Sequence, residues 1–163
     1  MKQPSDARPQ PHPPKVLWIL ITMLFVLGVS ALLPGINMIT DPSGRRLGFP
    51  EGALARTPFE DYFIPGILLT VFIGLLPLIA CWALWKKPTS TFMDRFNPVP
   101  SLHWAWTIAL ASGIGLILWI GVQMTMVPYF FLQPVLLTWG LVLVFLCFLP
   151  VLRAYYYQGK ARG

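Results

Sequence analysis

RRLGFPEGALARTPFEDYFIPG, residues 45–66, is the stretch that decides the fold, because it separates the first two of four long apolar segments. It mixes charges of both signs with aromatic residues and helix-start signals, and no other interior connection does so. Each apolar segment is long enough for a bilayer span, which takes roughly 18 or more residues without a charge. We therefore expect residues 45–66 to form a structured connection between two membrane spans.

The composition supports a membrane protein. The chain has 163 residues, of which 56% are hydrophobic and only 11% are charged. A soluble domain of this length carries about 25% charged residues to cover its surface. The sequence therefore predicts an all-α fold, namely a four-helix transmembrane bundle with a short, partly helical outer segment between helices 1 and 2.

The boundaries follow from the apolar segments and the charges between them. The predicted spans cover about 16–36, 64–85, 104–127 and 132–153. The other predicted parts are a disordered Pro-rich tail at 1–15, the outer segment 37–63, a loop at 86–103 and a basic tail at 156–163, so the membrane domain covers 16–155. The first span also fits a signal peptide cleaved after Ala31, but its long proline-rich flank and extended apolar stretch favour an uncleaved helix.

The distribution of charge predicts the orientation. Nine of the twelve Lys and Arg residues lie in three segments that flank the apolar runs, namely 1–15, 86–103 and 153–163. This bias is typical of cytoplasmic segments, so both termini are predicted to be cytoplasmic. The same distribution excludes a nucleic-acid partner, because no soluble surface carries the basic residues. The lipid bilayer is the predicted environment.

Local signals predict three finer features. Asp41-Pro42-Ser43-Gly44 is typical of a turn. Thr57 and Glu60 have the spacing of a capping box, in which Thr57 would be the N-cap and Pro58 the first residue of a short helix in the outer segment. Pro77 lies deep in that span and predicts a kink.

Apart from Arg153 at the very end of the fourth, the predicted spans contain no Asp, Glu, Lys, Arg or His, which argues against ion-coupled transport, proton relays and voltage sensing. Cys81 and Cys147 are interpreted as buried free thiols. His103 stands alone, so no metal site, cofactor or catalytic residue is predicted. An enzyme acting through Glu60 and Asp61 is the weakest hypothesis, because adjacent carboxylates diverge on a helix.

One ligand site is a hypothesis. Trp119 and Gln123 share a face of the third span, and Gln133 lies at a comparable height, so these residues can line a small outer-leaflet pocket. Its apolar walls suit a lipid or an isoprenoid tail, and three arginines of the outer segment can meet an anionic headgroup. These arginines are Arg45, Arg46 and Arg56. The alternative is that the polar residues only join helices through hydrogen bonds.

Small residues on the third span predict helix packing. Ala109 and Gly113 are spaced by four residues, as are Ala111 and Gly115, and such pairs let helix backbones approach closely. We therefore expect contacts with other membrane proteins, or self-association, through Ala109, Gly113 and Gly115. The leading hypothesis is a non-enzymatic accessory or interaction protein, and the alternative is a binder or carrier of a lipid or another hydrophobic small molecule.

The connection between the first two spans also resembles a known pattern. Leu47-Gly48-x-Pro50 is followed by Thr57-Pro58-Phe59-x-Asp61-Tyr62-x-Ile64-Pro65-Gly66. This arrangement resembles that of small bacterial four-helix integral membrane proteins of unknown function, and the architecture alone is similar to that of DoxX-like proteins. The resemblance implies a bacterial inner membrane and no particular activity, since fold does not give function.

Overall fold

A computed structural model describes residues 12–50 and 52–158, and the described chain is almost entirely helical. Most of the predicted Pro-rich tail and the last residues of the predicted basic tail lie outside the described residues. Within them, the helices are α1 (Lys15–Thr40), α2 (Phe63–Lys86), α3 (Thr91–Arg95), α4 (Trp104–Met126), α5 (Leu132–Phe148) and α6 (Pro150–Tyr156).

Helices α1, α2 and α4 are each long and apolar enough to cross a membrane. Helices α5 and α6 together would make a fourth crossing if the bent pair is counted as one span. Neighbouring helices run in opposite directions, so α1 begins at the end where α2 stops. We call this end of the bundle, which carries Lys15, Lys86 and Lys87, the basic end.

Glycines hold α1 and α2 together. A Cβ atom on Gly66 would lie 2.7 Å from Cβ of Met38 and 3.0 Å from the amide nitrogen of Ile39. A Cβ on Gly28 would lie 2.8 Å from the carbonyl oxygen of Gly74, and one on Gly35 would overlap the hydroxyl of Thr70. Real Cβ atoms do not approach backbone this closely, so the crossing of α1 and α2 depends on glycine.

Helix α2 is continuous, but its middle is a π-helical segment, Leu69–Leu75. This segment ends shortly before Pro77, which is buried. A proline ring collides with the carbonyl four residues before it, and a wider turn relieves that collision. The disturbance predicted at Pro77 is therefore present as a π-helical turn and not as a break between two helices.

The predicted fourth span, 132–153, is divided. Helix α5 ends at Phe148, and α6 begins at Pro150 with an axis bent by 61° from that of α5. Pro150 has no amide hydrogen to continue the helix, which explains the break. The bend leaves the carbonyl of Cys147 free, and it accepts a hydrogen bond of 2.8 Å from Nε1 of Trp106.

The connection between α1 and α2 is ordered by turns. The turn predicted at Asp41 is confirmed by a hydrogen bond of 3.1 Å from the amide of Gly44 to the carbonyl of Asp41. Gly44 has a φ of 72°, and a Cβ there would lie 2.7 Å from the ring of Tyr62. The pKa of the Asp41 carboxyl is lowered by hydrogen bonds from the Ser43 hydroxyl and the Arg46 amide.

The predicted capping box is wrong. Residues 57–62 are not helical, and α2 begins at Phe63. The Thr57 hydroxyl instead donates to the carbonyl of Leu54 at 2.9 Å. Asp61 takes the capping role, since its carboxylate accepts a hydrogen bond of 2.9 Å from the amide of Phe63.

The small-residue face of α4 packs against α5 within the same chain. Ala109 and Gly113 are buried, and a Cβ on Gly113 would lie 3.0 Å from the side chain of Val144. Gly140 of α5 meets the same surface, with a hypothetical Cβ 3.2 Å from the carbonyl of Gly113. Gly115 faces open space. Of the three residues predicted to mediate self-association, Ala109 and Gly113 are used within the fold, and only Gly115 stays open.

We expect Gly66→Ala to lower the free energy of unfolding by about 1–3 kcal/mol, because the new methyl group overpacks the crossing of α1 and α2. Gly115→Ala is the matched control, since it adds the same methyl group to a helix with open space around it. The control should be neutral or stabilising by about 0.5–1 kcal/mol. Thermal unfolding in detergent measures both, and equal midpoints for the two variants would contradict the prediction.

Candidate functional site

The three residues of the predicted ligand pocket have different surroundings. Gln133 is only 1% exposed, whereas Trp119 and Gln123 of α4 are half-buried. Oε1 of Gln133 accepts a hydrogen bond of 3.4 Å from the amide of Phe130, and its Nε2 has no partner among the described residues. Gln133 is therefore a buried amide with one unused donor.

The three arginines proposed to meet a headgroup are exposed. Arg45 and Arg46 lie in a short 3-10 turn, Arg45–Leu47, which contacts α1. Arg56 lies in the turns that precede α2. All three cations thus stand on the connection between α1 and α2, and their side chains are open to solvent or to headgroups.

The interface between α1 and α5 is sparsely packed. These helices touch far less than α1 and α2 or α4 and α5 do. One side-chain hydrogen bond joins them, from Nε1 of Trp139 to the carbonyl of Met23 at 3.3 Å. Beside it lies a cavity of about 450 Å³, open to the surface and almost wholly apolar, which we call the α1–α5 groove. Its walls are Met23, Phe131, Pro134, Val135, Thr138, Trp139 and Val142.

At the basic end, the end of α2 is fastened to α6. Lys87 has a left-handed backbone with a φ of 46° and closes α2. Its ammonium group lies 3.3 Å from the centre of the Tyr155 ring and 4.8 Å from that of Tyr156. The Tyr156 hydroxyl donates to the carbonyl of Leu84 at 2.6 Å. Burial lowers the pKa of Lys87, and the aromatic faces offset part of the cost of burying its charge.

His103 begins α4 as its N-cap and is only 5% exposed. Nδ1 accepts a hydrogen bond of 3.1 Å from the amide of Ala105, and the ring stacks on Trp104 with centroids 5.5 Å apart. Nε2 is buried and has no hydrogen-bond partner among the described residues. His103 is thus a buried, neutral helix cap.

Asn97 is the centre of the connection between α3 and α4. Its amide nitrogen donates to the carbonyl of Leu102 at 2.7 Å. Its Oδ1 accepts hydrogen bonds from the hydroxyl of Thr107 at 2.6 Å and from the amide of Val99 at 3.2 Å. The predicted loop 86–103 is therefore folded onto the start of α4 through Asn97.

The side chains of residues 12–50 and 52–158 show little that points to catalysis. No three of their His, Cys, Asp and Glu side chains lie close enough together to hold a metal ion. Cys81 and Cys147 are buried free thiols, as predicted. The Cys81 thiol donates to the carbonyl of Ile21 at 3.3 Å, so it helps to join α2 to α1.

The sequence does not single out the α1–α5 groove or the fastening of Lys87 to Tyr155 and Tyr156. Tyr156, within the run Tyr155-Tyr156-Tyr157, is only 2% exposed. A signal for the bent end of α5 was available in Pro150, since an internal proline ends or kinks a helix. The groove had no comparable signal, because apolar residues lie on every face of these helices.

The buried ring of His103 predicts that the free energy of unfolding decreases as the pH is lowered. Burial lowers the pKa of its ring below the ordinary 6.5, and the nearby Lys87 ammonium acts in the same direction. The carboxylate of Asp94 and the carbonyls of Lys87 and Pro88 oppose this shift without cancelling it. The unfolded chain therefore binds the proton more readily, so stability is present above pH 6.5 and is lost as pH falls towards the lowered pKa.

The measurement is the midpoint of thermal unfolding in detergent between about pH 8 and about pH 5. His103→Asn keeps a helix-capping acceptor and removes the titrating ring, so its midpoint should fall less on acidification. An unchanged slope in this variant would show that other groups cause the pH dependence.

The chain was compared with protein-family models, with curated proteins and with solved structures, and none of the three comparisons found a match. The resemblance to small bacterial four-helix membrane proteins and to DoxX-like proteins therefore stays a prediction.

Proposed function

We propose that the protein is an integral membrane protein of a bacterial inner membrane, with four spans and both termini in the cytoplasm. Helices α1, α2 and α4 would supply three spans, and α5 with α6 would supply the fourth. The basic end would then face the cytoplasm, as the bias of Lys and Arg in membrane proteins favours. The connection 37–63 would form the outer segment.

Within that placement, we propose a non-catalytic role as an accessory protein that packs against other membrane proteins. The α1–α5 groove is the observation that carries this proposal. In lipid, helices associate through close packing and interhelical hydrogen bonds, because apolar contacts with lipid tails are equally favourable. An apolar groove of about 450 Å³ between two sparsely packed helices offers the side chains of a partner helix a shaped surface.

Binding of a lipid or another hydrophobic small molecule in the outer leaflet is the second candidate. The unused Nε2 donor of Gln133 favours it, because a buried amide hydrogen in apolar surroundings is costly unless it meets an acceptor. A ligand carbonyl or ether oxygen could accept this hydrogen bond. Trp119 and Gln123 would then line the pocket beside it, and Arg45, Arg46 and Arg56 would meet an anionic headgroup.

The placement is tested by labelling single cysteines with a membrane-impermeant maleimide, after replacement of both native cysteines by alanine. Ser43→Cys, in the exposed turn of the outer segment, should be labelled from outside intact spheroplasts. Thr91→Cys, at the basic end, should be labelled only after lysis. Both positions are exposed in the structure, so accessibility within the fold is matched. Labelling of both before lysis, or the reverse pattern, would refute the proposed topology.

The partner is tested by photo-crosslinking in cells. A benzophenone amino acid at Val135 of the groove should form an adduct with a second polypeptide. The same amino acid at Leu118, which is 63% exposed on α4 outside the groove, is the control and should give lipid adducts only. A small-molecule adduct specific to Val135 would instead favour a lipid carrier, and identical adducts at both positions would remove the accessory role.

A further inference from the structure

A second cavity lies at the basic end, where α6 leaves the bundle. The bend of 61° turns α6 away from α5, and Leu152 and Tyr156 are buried beneath it. The other side of α6, with Val151 and Ala154, is exposed. An apolar edge at the end of a bundle of this kind suits the boundary between headgroups and acyl chains.

Backbone pairing holds the walls of this cavity in place. The segment before α4 runs antiparallel to the end of α6, with Leu102 opposite Tyr157. The amide of Gln158 donates to the carbonyl of Ser101 at 2.9 Å. The walls are therefore organised before any ligand arrives, which lowers the entropy cost of binding.

The cavity combines polar and apolar walls. It has a volume of about 440 Å³ and is lined by Ser101, Leu102, Pro150, Arg153, Ala154 and Tyr157. Arg153 and Ser101 supply a cation and a hydroxyl, and the remaining walls are mainly apolar. We call this cavity the α6 groove.

The charge around the α6 groove is strongly positive. Among the described residues, the basic end carries five Lys and Arg side chains and one carboxylate, that of Asp94. The ammonium group of Lys87 contacts the rings of Tyr155 and Tyr156, and that of Lys86 lies 4.3 Å from the ring of Trp85. Arg153 is exposed at the groove and presents a planar guanidinium, which suits a phosphate.

We propose that the α6 groove binds the headgroup of an anionic phospholipid. Arg153 would meet the phosphate, the Ser101 hydroxyl would donate to a headgroup oxygen, and the glycerol and upper acyl chains would lie along Leu102, Pro150 and Ala154. Basic pockets beside membrane helices on the cytoplasmic side are suited to such lipids. This inference rests on the proposed membrane placement, and it concerns a site separate from the α1–α5 groove.

Native mass spectrometry of the full chain in detergent tests the site, with phosphatidylglycerol and phosphatidylcholine of identical acyl chains as probes. The wild type should retain phosphatidylglycerol in preference. Arg153→Gln should lower its occupancy about fivefold, the effect of losing one cation at a membrane surface. Arg95→Gln removes an exposed cation from α3 at the same end and should leave occupancy unchanged.

A second variant separates the groove from its charge. Ala154→Trp keeps every cation and fills the cavity, so it should also lower phosphatidylglycerol occupancy. Equal losses from Arg153→Gln and Arg95→Gln, or full occupancy in Ala154→Trp, would overturn the site, because attraction would then come from net charge alone. Thermal unfolding midpoints show whether each variant is folded.

Inorganic phosphate, added in excess, should not displace the lipid, because the apolar walls contribute to binding. Displacement would assign the groove to a free anion and overturn the lipid proposal. Equal retention of the two lipids by the wild type would also overturn it, while the maleimide pattern would still support the membrane placement. If the wild type retained phosphatidylglycerol selectively but the maleimide labelling contradicted the proposed topology, only the proposed membrane placement would be refuted.

Discussion

Backbone carbonyls at helix ends need donors when water is scarce, and this constraint organises the basic end. The last carbonyls of a helix have no amide ahead of them. The carbonyl of Leu84 accepts a hydrogen bond from the hydroxyl of Tyr156, and that of Cys147 accepts one from the indole of Trp106. Each bond joins two helices while it satisfies a group that would otherwise be costly to bury. The end of α2, the start of α4 and the bend at Pro150 are therefore coupled through their unmatched backbone groups.

The α1–α5 interface lacks this source of stability. The carbonyl of Met23 lies within α1 and has a helical partner of its own, so the indole of Trp139 adds a second donor and satisfies no orphan group. Neither helix presents a glycine-lined contact to the other of the kind that Gly66 provides between α1 and α2. The groove beside Trp139 is consistent with these differences, since no close-packed contact closes the interface there.

The sequence predicted the helical class, the turn at Asp41 and the two buried thiols, because each depends on local chemistry or on long apolar runs. It placed a capping box at Thr57, where the structure has a turn, and the residue that accepts a hydrogen bond from the first amide of α2 is Asp61. Both residues fit the local pattern of a helix start, and only tertiary packing selects between them. The buried state of His103 depends on α6, which is about 50 residues away in the chain. In helices that are apolar on every face, periodicity does not show which side is inside, so neither groove could be placed from the sequence.

The glycine contacts divide the helices into two pairs. Gly28, Gly35 and Gly66 serve the hairpin of α1 and α2, whereas Gly113 and Gly140 serve the hairpin of α4 and α5. During synthesis the first hairpin is complete before the second leaves the ribosome, and each carries its own close-packed interface. The two hairpins contact each other mainly along α2 and α4. The fold therefore consists of two helical hairpins, each closed by its own glycines and joined to the other through α2 and α4.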